Sequence, residues 1–88
     1  MKTVFRKSFE RDLKKIKDRW VLEQVKRAIE EAEGATSLKG VSGVKRLSDA
    51  GSFYRIRIGE YRIGIAVERS EVEFVRCLHR REIYRYFP

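Results

Sequence analysis

A single cysteine, Cys77, among 88 residues excludes an internal disulfide. It lies in an apolar run, which points to a small, buried, inert thiol. One cysteine and one histidine cannot assemble a zinc site, so no metal is expected. No glycine-rich phosphate loop opens a helix, which argues against nucleotide hydrolysis and leaves no cofactor in prospect. No run of about 18 apolar residues is available to span a membrane. The N-terminal "MKTVFRKSFERDLKK" lacks the apolar centre of a secretion signal, so a cytoplasmic protein is expected. There are no internal repeats and no low-complexity tail. A chain this short buries roughly two-thirds or less of its unfolded surface, enough for one core and one domain over residues 1–88.

Charge is what the chain has in excess. The formal net charge is +8 and the pI about 10.0, which favours a polyanionic partner. Residues 1–44 hold 7 lysines and 4 arginines, whereas residues 45–88 hold 9 arginines and 1 lysine. Lysine is the usual solvated cation, and arginine is the residue for bidentate phosphate contacts and base stacking. The first half therefore looks like scaffold and the second like a working surface.

The pattern along the chain predicts an α+β fold. Thr3 to Phe5 is a short β-rich run. Ser8 is the expected N-cap of a first helix, with Glu10 and Asp12 in its first turn, where negative charge suits the dipole. Phe9, Leu13, Ile16 and Trp20 recur at helical spacing and are expected on one face. Asp18 is expected to cap a second helix with an apolar stripe of Leu22, Val25, Ile29 and Ala32, and Gly34 to stop it. "GATSLKGVSGVKRLSDAGS" carries four of the six glycines and is expected to be a connecting loop. Lys39, Lys45 and Arg46 within it are either available to an anionic partner or simply solvated.

From Phe53 the period changes to two. "FYRIRI" sets Tyr54, Ile56 and Ile58 on one face and Phe53, Arg55 and Arg57 on the other. Gly59 and Glu60 form a tight turn. In "YRIGIAV", Tyr61, Ile63, Ile65 and Val67 share one face, with Arg62, Gly64 and Ala66 opposite. "ERSE" turns the chain again, and "VEFVRCL" completes a three-strand meander. Residues 80–87 are expected to form a short helix with Ile83 and Phe87 packed inward. On it, Arg80 and Tyr84 stand at i and i+4, and Arg81 and Arg85 form a parallel row.

The hairpin thus has an apolar face for the helices and a second face of arginines. Small Gly64 and Ala66 are expected to leave room beside those arginines for a phosphodiester backbone. The plain alternative is that the arginines cover the solvated face of an antiparallel sheet. Tyr84, pinned among cations, can exchange a proton or stack on a base, or it can be ordinary packing.

Strand, two helices and meander, with "YRIRIGEYRIGI" and a terminal "HRREIYRYF", resemble the RelE branch of the RelE/ParE toxin superfamily over essentially the whole chain. The first half matches only in pattern, and "YRIRIGEYRI" and "HRREIY" match in residue identity and spacing. The resemblance implies a toxin of a type II toxin–antitoxin pair that enters the ribosomal A site and cleaves mRNA without a metal. The RNA's own 2′-hydroxyl attacks the adjacent phosphate, leaving a cyclic phosphate and a free 5′-hydroxyl. Carried over by position, the catalytic residues are Arg55 and Arg57 on the first hairpin strand, Arg62 on the second, Arg80 after the last strand (with Arg81 a competitor) and Tyr84. Lys39, Lys45, Arg46, Arg81 and Arg85 are candidates for contacting messenger or ribosomal RNA. Implied partners are the mRNA on the ribosome, ribosomal RNA and an acidic antitoxin, with a monomer when free.

The chain departs from the family where the best-studied members carry lysines at the positions of Arg55 and Arg57. Arginine can neutralise a phosphorane but does not in practice act as a base. His79, the only histidine, precedes Arg80 directly and is the candidate base, because histidine titrates near neutrality. The alternative for His79 is packing or hydrogen bonding at a strand end. Two competing functions are a ParE-like poison of DNA gyrase, a branch that lacks the basic-plus-tyrosine constellation, and a catalytically weak nucleic-acid-binding relative.

Overall fold

The computed structural model describes residues 1–47 and 51–88. The chain runs β1 (Lys2–Phe5), α1 (Lys7–Lys15), α2 (Arg19–Gly34), a 3-10 turn (Leu38–Gly40), β2 (Val44–Arg46), β3 (Phe53–Ile58), β4 (Tyr61–Glu68), β5 (Glu71–His79) and α3 (Ile83–Tyr86). The strands form one sheet in the order β1-β5-β4-β3-β2. β1 lies parallel to β5, and the other neighbours are antiparallel. The expected meander is therefore the middle of a five-stranded sheet. The missed strand, β2, lies in the stretch read as a connecting loop, whose residues 48–50 fall outside the described residues. Three residues among glycines are too few to show a period, and β2 exists because β3 offers it a ladder.

The α1–α2 pair packs on one sheet face. Phe9, Ile16, Val21, Val25, Ala28 and Ala32 meet Ile56, Ile58, Ile63, Ile65, Val72, Phe74 and Cys77 in one apolar core. Asp18 caps α2 as expected, its carboxylate accepting from the Trp20 and Val21 amides at 2.9 and 3.3 Å. The buried stripe of α2 is Val21, Val25, Ala28 and Ala32, with Leu22 and Ile29 only half-buried beside it. Trp20 does not continue the Phe9 face. The first helix stops at Lys15, so Trp20 opens the second and is exposed.

Two expectations for α1 fail for one reason. Ser8 is not its N-cap, since Arg6 holds that position without a side-chain bond. Asp12 is not a dipole charge, since it is buried. β5 is nine residues long and β1 only four, so the β5 edge beyond Phe74 has no strand beside it. Side chains of α1 take the strand's place. The Ser8 hydroxyl donates to the Val75 carbonyl at 2.6 Å, and the Asp12 carboxylate accepts from the Cys77 amide at 3.0 Å. Asp12 also accepts from Nε and Nη2 of Arg76, at 2.8 and 3.1 Å, in a bidentate pair.

A bulge shapes this edge. Gly64 pairs with Arg76 and Ile65 with Phe74, which leaves Val75 as the extra residue. Phe74 and Cys77, three apart, would face opposite ways in a regular strand. The bulge lets both enter the core.

The second sheet face carries α3. The helix covers 83–86, shorter than expected, and Arg80 and Arg81 precede it in a turn, so neither takes part in a helical i, i+4 pair. Ile83 and Phe87 are both buried, as expected. The room foreseen beside Gly64 is absent, because Phe87 occupies it: a Cβ on Gly64 would come within 2.6 Å of the Phe87 ring. Phe53 meets the same ring edge-on at 5.7 Å. Arg76, held at Asp12, lies 5.5 Å from the centre of the Tyr86 ring.

Cys77 gives a direct test of this core. Burial first, and then the nearby Asp12 carboxylate, push its thiol up from 9.0 to about 12. The unfolded chain therefore ionises the thiol before the folded one does. The stability this provides is complete below about pH 9 and declines as pH rises toward 12. In urea titrations, wild type should lose stability relative to Cys77→Ala at a slope approaching about 1.4 kcal/mol per pH unit across that window. Parallel curves would contradict a buried neutral thiol.

Candidate active site

β3 and β4 bring the arginines together through their register. Arg57 stands directly opposite Arg62, and Arg55 opposite Gly64. Like charges facing each other across a ladder repel, so something must hold them. Backbone carbonyls hold Arg62 and its neighbour Arg55. Arg62 Nη1 donates to the Gly59 and Tyr61 carbonyls at 2.7 and 2.8 Å, and Arg55 Nη1 donates to the Gly43 carbonyl at 2.7 Å. Gly59 takes a positive φ of 54° at the tight turn, which presents its carbonyl at the foot of the Arg62 side chain. Among the described residues, none of Arg55, Arg57 and Arg62 pairs with a carboxylate. The buried Arg55 Nε has no hydrogen-bond partner among them.

The result is a concentrated positive field. The Arg62 guanidinium binds its proton less tightly than a free arginine, chiefly because of burial and then because of Arg55 and Arg57. Tyr84 opposes that effect and Arg80 adds to it. Five residues expected from the sequence thus share one electrostatic neighbourhood: Arg55, Arg57, Arg62, Arg80 and Tyr84. Tyr84 is 59% exposed on α3, so its hydroxyl is open to a ligand.

Arg80 differs from the others in having a carboxylate. Its Nε lies 2.8 Å from Glu60, and its amide donates to the Glu60 carbonyl at 2.8 Å. Glu60, placed by the sequence in the tight turn between two arginine-bearing strands, is the acidic residue that meets the cluster. His79 stands at the end of β5 and packs and hydrogen-bonds there, as its alternative reading had it. It pairs with Tyr61, on the face of the helices, whereas Arg62 pairs with Leu78 on the other. Its Nδ1 accepts from the Arg81 amide at 3.2 Å, its ring meets Tyr61 edge-on at 5.7 Å, and its Nε2 is 3.9 Å from Glu60.

The wider basic residues scatter. Lys45 stands opposite Arg55 and so shares the arginine face, while Arg46 stands opposite Tyr54, on the other side. Arg46 donates to the Gly51 carbonyl at 3.4 Å. Lys39 is exposed on the 3-10 turn. Arg81 is exposed in the turn before α3, and Arg85 is exposed 3.9 Å from Glu82. No cluster of three His, Cys, Asp or Glu able to hold a metal occurs among the described residues, and no helix among them is long and apolar enough to cross a membrane.

The sequence model for the ParE toxin of type II toxin–antitoxin systems, parDE, matches residues 3–84. The chain belongs to this toxin family. Toxin RelE3 of Methanocaldococcus jannaschii is 40% identical over 89 residues, covering 100% of both chains. The toxin also superposes on a chain of the RelB–RelE antitoxin–toxin complex from Methanococcus jannaschii with a TM-score of 0.82 and 39% identity, covering 97% of this chain and 99% of that one. The YoeB dimer from Staphylococcus aureus shares the fold at a TM-score of 0.73 and 18% identity, over 90% of the toxin and 95% of that chain. Both the RelE-like recognition and the α+β fold expected from the sequence are thereby borne out.

Gly64 tests how the C-terminal segment seats in this toxin. Gly64→Ala should eject Phe87 and unseat α3, lowering stability by about 1–3 kcal/mol, the usual range for overpacking. Phe87→Ala in the same background should recover part of that loss, because the clash disappears. Thermal melts of the two single variants and the double variant decide it, and strict additivity would count against the contact.

Proposed function

We propose that this toxin is a metal-independent endoribonuclease that cleaves mRNA in the ribosomal A site. The observation that carries the reading is the partly desolvated Arg62, crowded by Arg55, Arg57 and Arg80 with Tyr84 beside it. Cations held by neutral carbonyls keep their full charge for an incoming phosphate. The 2′-hydroxyl of the bound RNA attacks the adjacent phosphorus and gives its proton to solvent water. As the P–O2′ bond forms, negative charge grows on the non-bridging oxygens, and Arg62, Arg80, Arg55 and Arg57 stabilise it. The P–O5′ bond then breaks to give a 2′,3′-cyclic phosphate and a 5′-hydroxyl. Tyr84 is the proton-transfer group, supplying the leaving oxygen with its proton. His79, on the helix face, positions Arg81 and the end of β5 rather than serving as the base. Glu60 aims Arg80.

The partners follow from the same charge. RelE of Methanococcus jannaschii was solved with the antitoxin RelB. An acidic antitoxin that covers the arginine face, or displaces α3 and with it Tyr84, would silence this toxin, and opposite charge would make its capture fast.

Programmed ribosomes incubated with the toxin should show mRNA cut in the A site, while supercoiling by DNA gyrase stays untouched. Gyrase inhibition without mRNA cleavage would replace this reading with the ParE-type one. Arg62→Ala and Arg80→Ala should each slow single-turnover cleavage by about 100- to 1,000-fold. Tyr84→Phe should cost on the order of 100-fold with ribosome binding nearly intact. His79→Gln should stay within about 10-fold of wild type, because its ring packs on Tyr61 and its Nδ1 is taken by the Arg81 amide; a loss of about 100-fold together with a vanished pH step near neutrality would restore it as the base.

Metal independence has its own test. Cleavage should survive EDTA when ribosome integrity is held constant, because clustered arginines can do a metal's electrostatic work. A strict need for an added divalent ion, with ribosomes intact, would overturn it.

A further inference from the structure

Trp20 is the only tryptophan in the chain and has no part in the site described above. It is 55% exposed, although a large ring at the start of an amphipathic helix beside an apolar core could have been buried. Its backbone is fixed, since its amide is one of the two held by the Asp18 cap. One edge of the indole rests on Gly59: a Cβ there would lie 2.9 Å from Cζ3 and 3.2 Å from Cη2. Gly59 is also the residue whose carbonyl holds Arg62. A single residue thus separates the indole from the central guanidinium. Exposed Lys17 and Arg19 precede it in sequence.

We propose that Trp20 is a stacking platform for an unpaired RNA base at the rim of the arginine face. The inference rests on the RNA-binding reading of that face. Single-stranded RNA sites combine cations that follow the backbone with aromatic rings that take the bases. The arginine face supplies the first. On that face Phe53 and Phe87 are engaged with each other, and Tyr86 with Arg76. Trp20 is the large ring at the hairpin end, rigidly seated and open to solvent. A strand whose phosphate lies on Arg57 and Arg62 has only the Gly59–Glu60 turn to cross before a base reaches the indole.

The single tryptophan makes its own fluorescence the readout. The intact toxin is titrated with a short single-stranded oligoribonucleotide of mixed sequence and with an abasic ribose-phosphate chain of equal length. The oligoribonucleotide should quench Trp20 saturably, and the abasic chain should leave it nearly unchanged. Trp20→Ala should weaken oligoribonucleotide binding by roughly 10- to 100-fold without altering abasic-chain binding, and Trp20→Phe should restore most of the loss. Lack of base-dependent quenching, or full affinity in Trp20→Ala, overturns the inference. Equal losses for both ligands, with a lowered melting temperature, would make Trp20 a buttress of the turn and also overturn it. Arg62→Ala separates the two levels. If it weakens oligoribonucleotide binding while Trp20 stays silent, stacking falls and the arginine-face reading stands. If base-dependent quenching persists in Arg62→Ala at unchanged affinity, stacking stands and the arginine-face reading falls.

Discussion

The carboxylate of Asp12 does the work of a missing strand. β5 outruns its only neighbour on one side, and an open edge in the interior of so small a protein would leave backbone donors without partners. Asp12 takes the Cys77 amide and at the same time fixes Arg76, which reaches across to Tyr86 on α3. One buried side chain therefore links the helix layer, the sheet edge and the C-terminal helix. The desolvation of Asp12 is offset because its oxygens are occupied by a bidentate guanidinium and an amide. Tyr84, on α3, depends for its position on this chain of contacts and on the Phe87 ring seated over Gly64.

The arginine face is organised on the opposite principle. A carboxylate would hold a cation more firmly than a carbonyl, but it would also neutralise it. Arg55 and Arg62 are held by carbonyls, so their orientation is fixed and their charge is unspent. Of Arg55, Arg57, Arg62 and Arg80, only Arg80 has an acidic partner among the described residues, Glu60, and that pair lies at the exposed end of the site, where solvent screening weakens it. Burial first, and then the crowding of like charges, weakens the proton affinity of Arg62. A phosphate arriving there relieves repulsion as well as forming bonds.

Strand periodicity made most of this fold legible, and so did residue chemistry. The alternation in "FYRIRIGEYRIGIAV" assigned both faces of the hairpin correctly, because each side chain there obeys the period of two. Asp18 was legible as a cap because its action is local. What stayed hidden was non-local. Nothing near Asp12 in the sequence reveals a strand edge more than sixty residues later that needs a partner, so it looked like a dipole charge. Gly64 looked like open space because the ring that fills it comes from the far end of the chain. The Val75 bulge cannot be seen from alternation, because it is a break in alternation. The place of His79 was hidden too, because register sets its ring against Tyr61 while Glu60 links it to Arg80. The five-residue cluster around Arg62 was legible because charge and register coincide there.

The parallel pairing of β1 with β5 has a consequence in time. The first strand to leave the ribosome during synthesis waits for nearly the last before it can join the sheet, so the contacts that close this fold are among the most separated in sequence. Until β5 emerges, Asp12 has no edge to cap and α3 has no floor to sit on. A nascent chain thus exposes the basic hairpin without the tyrosine and Arg80 that complete its charge cluster. A protein whose proposed target is the translating ribosome cannot, by its topology, complete its own charge cluster until β5 and α3 have left the ribosome that makes it.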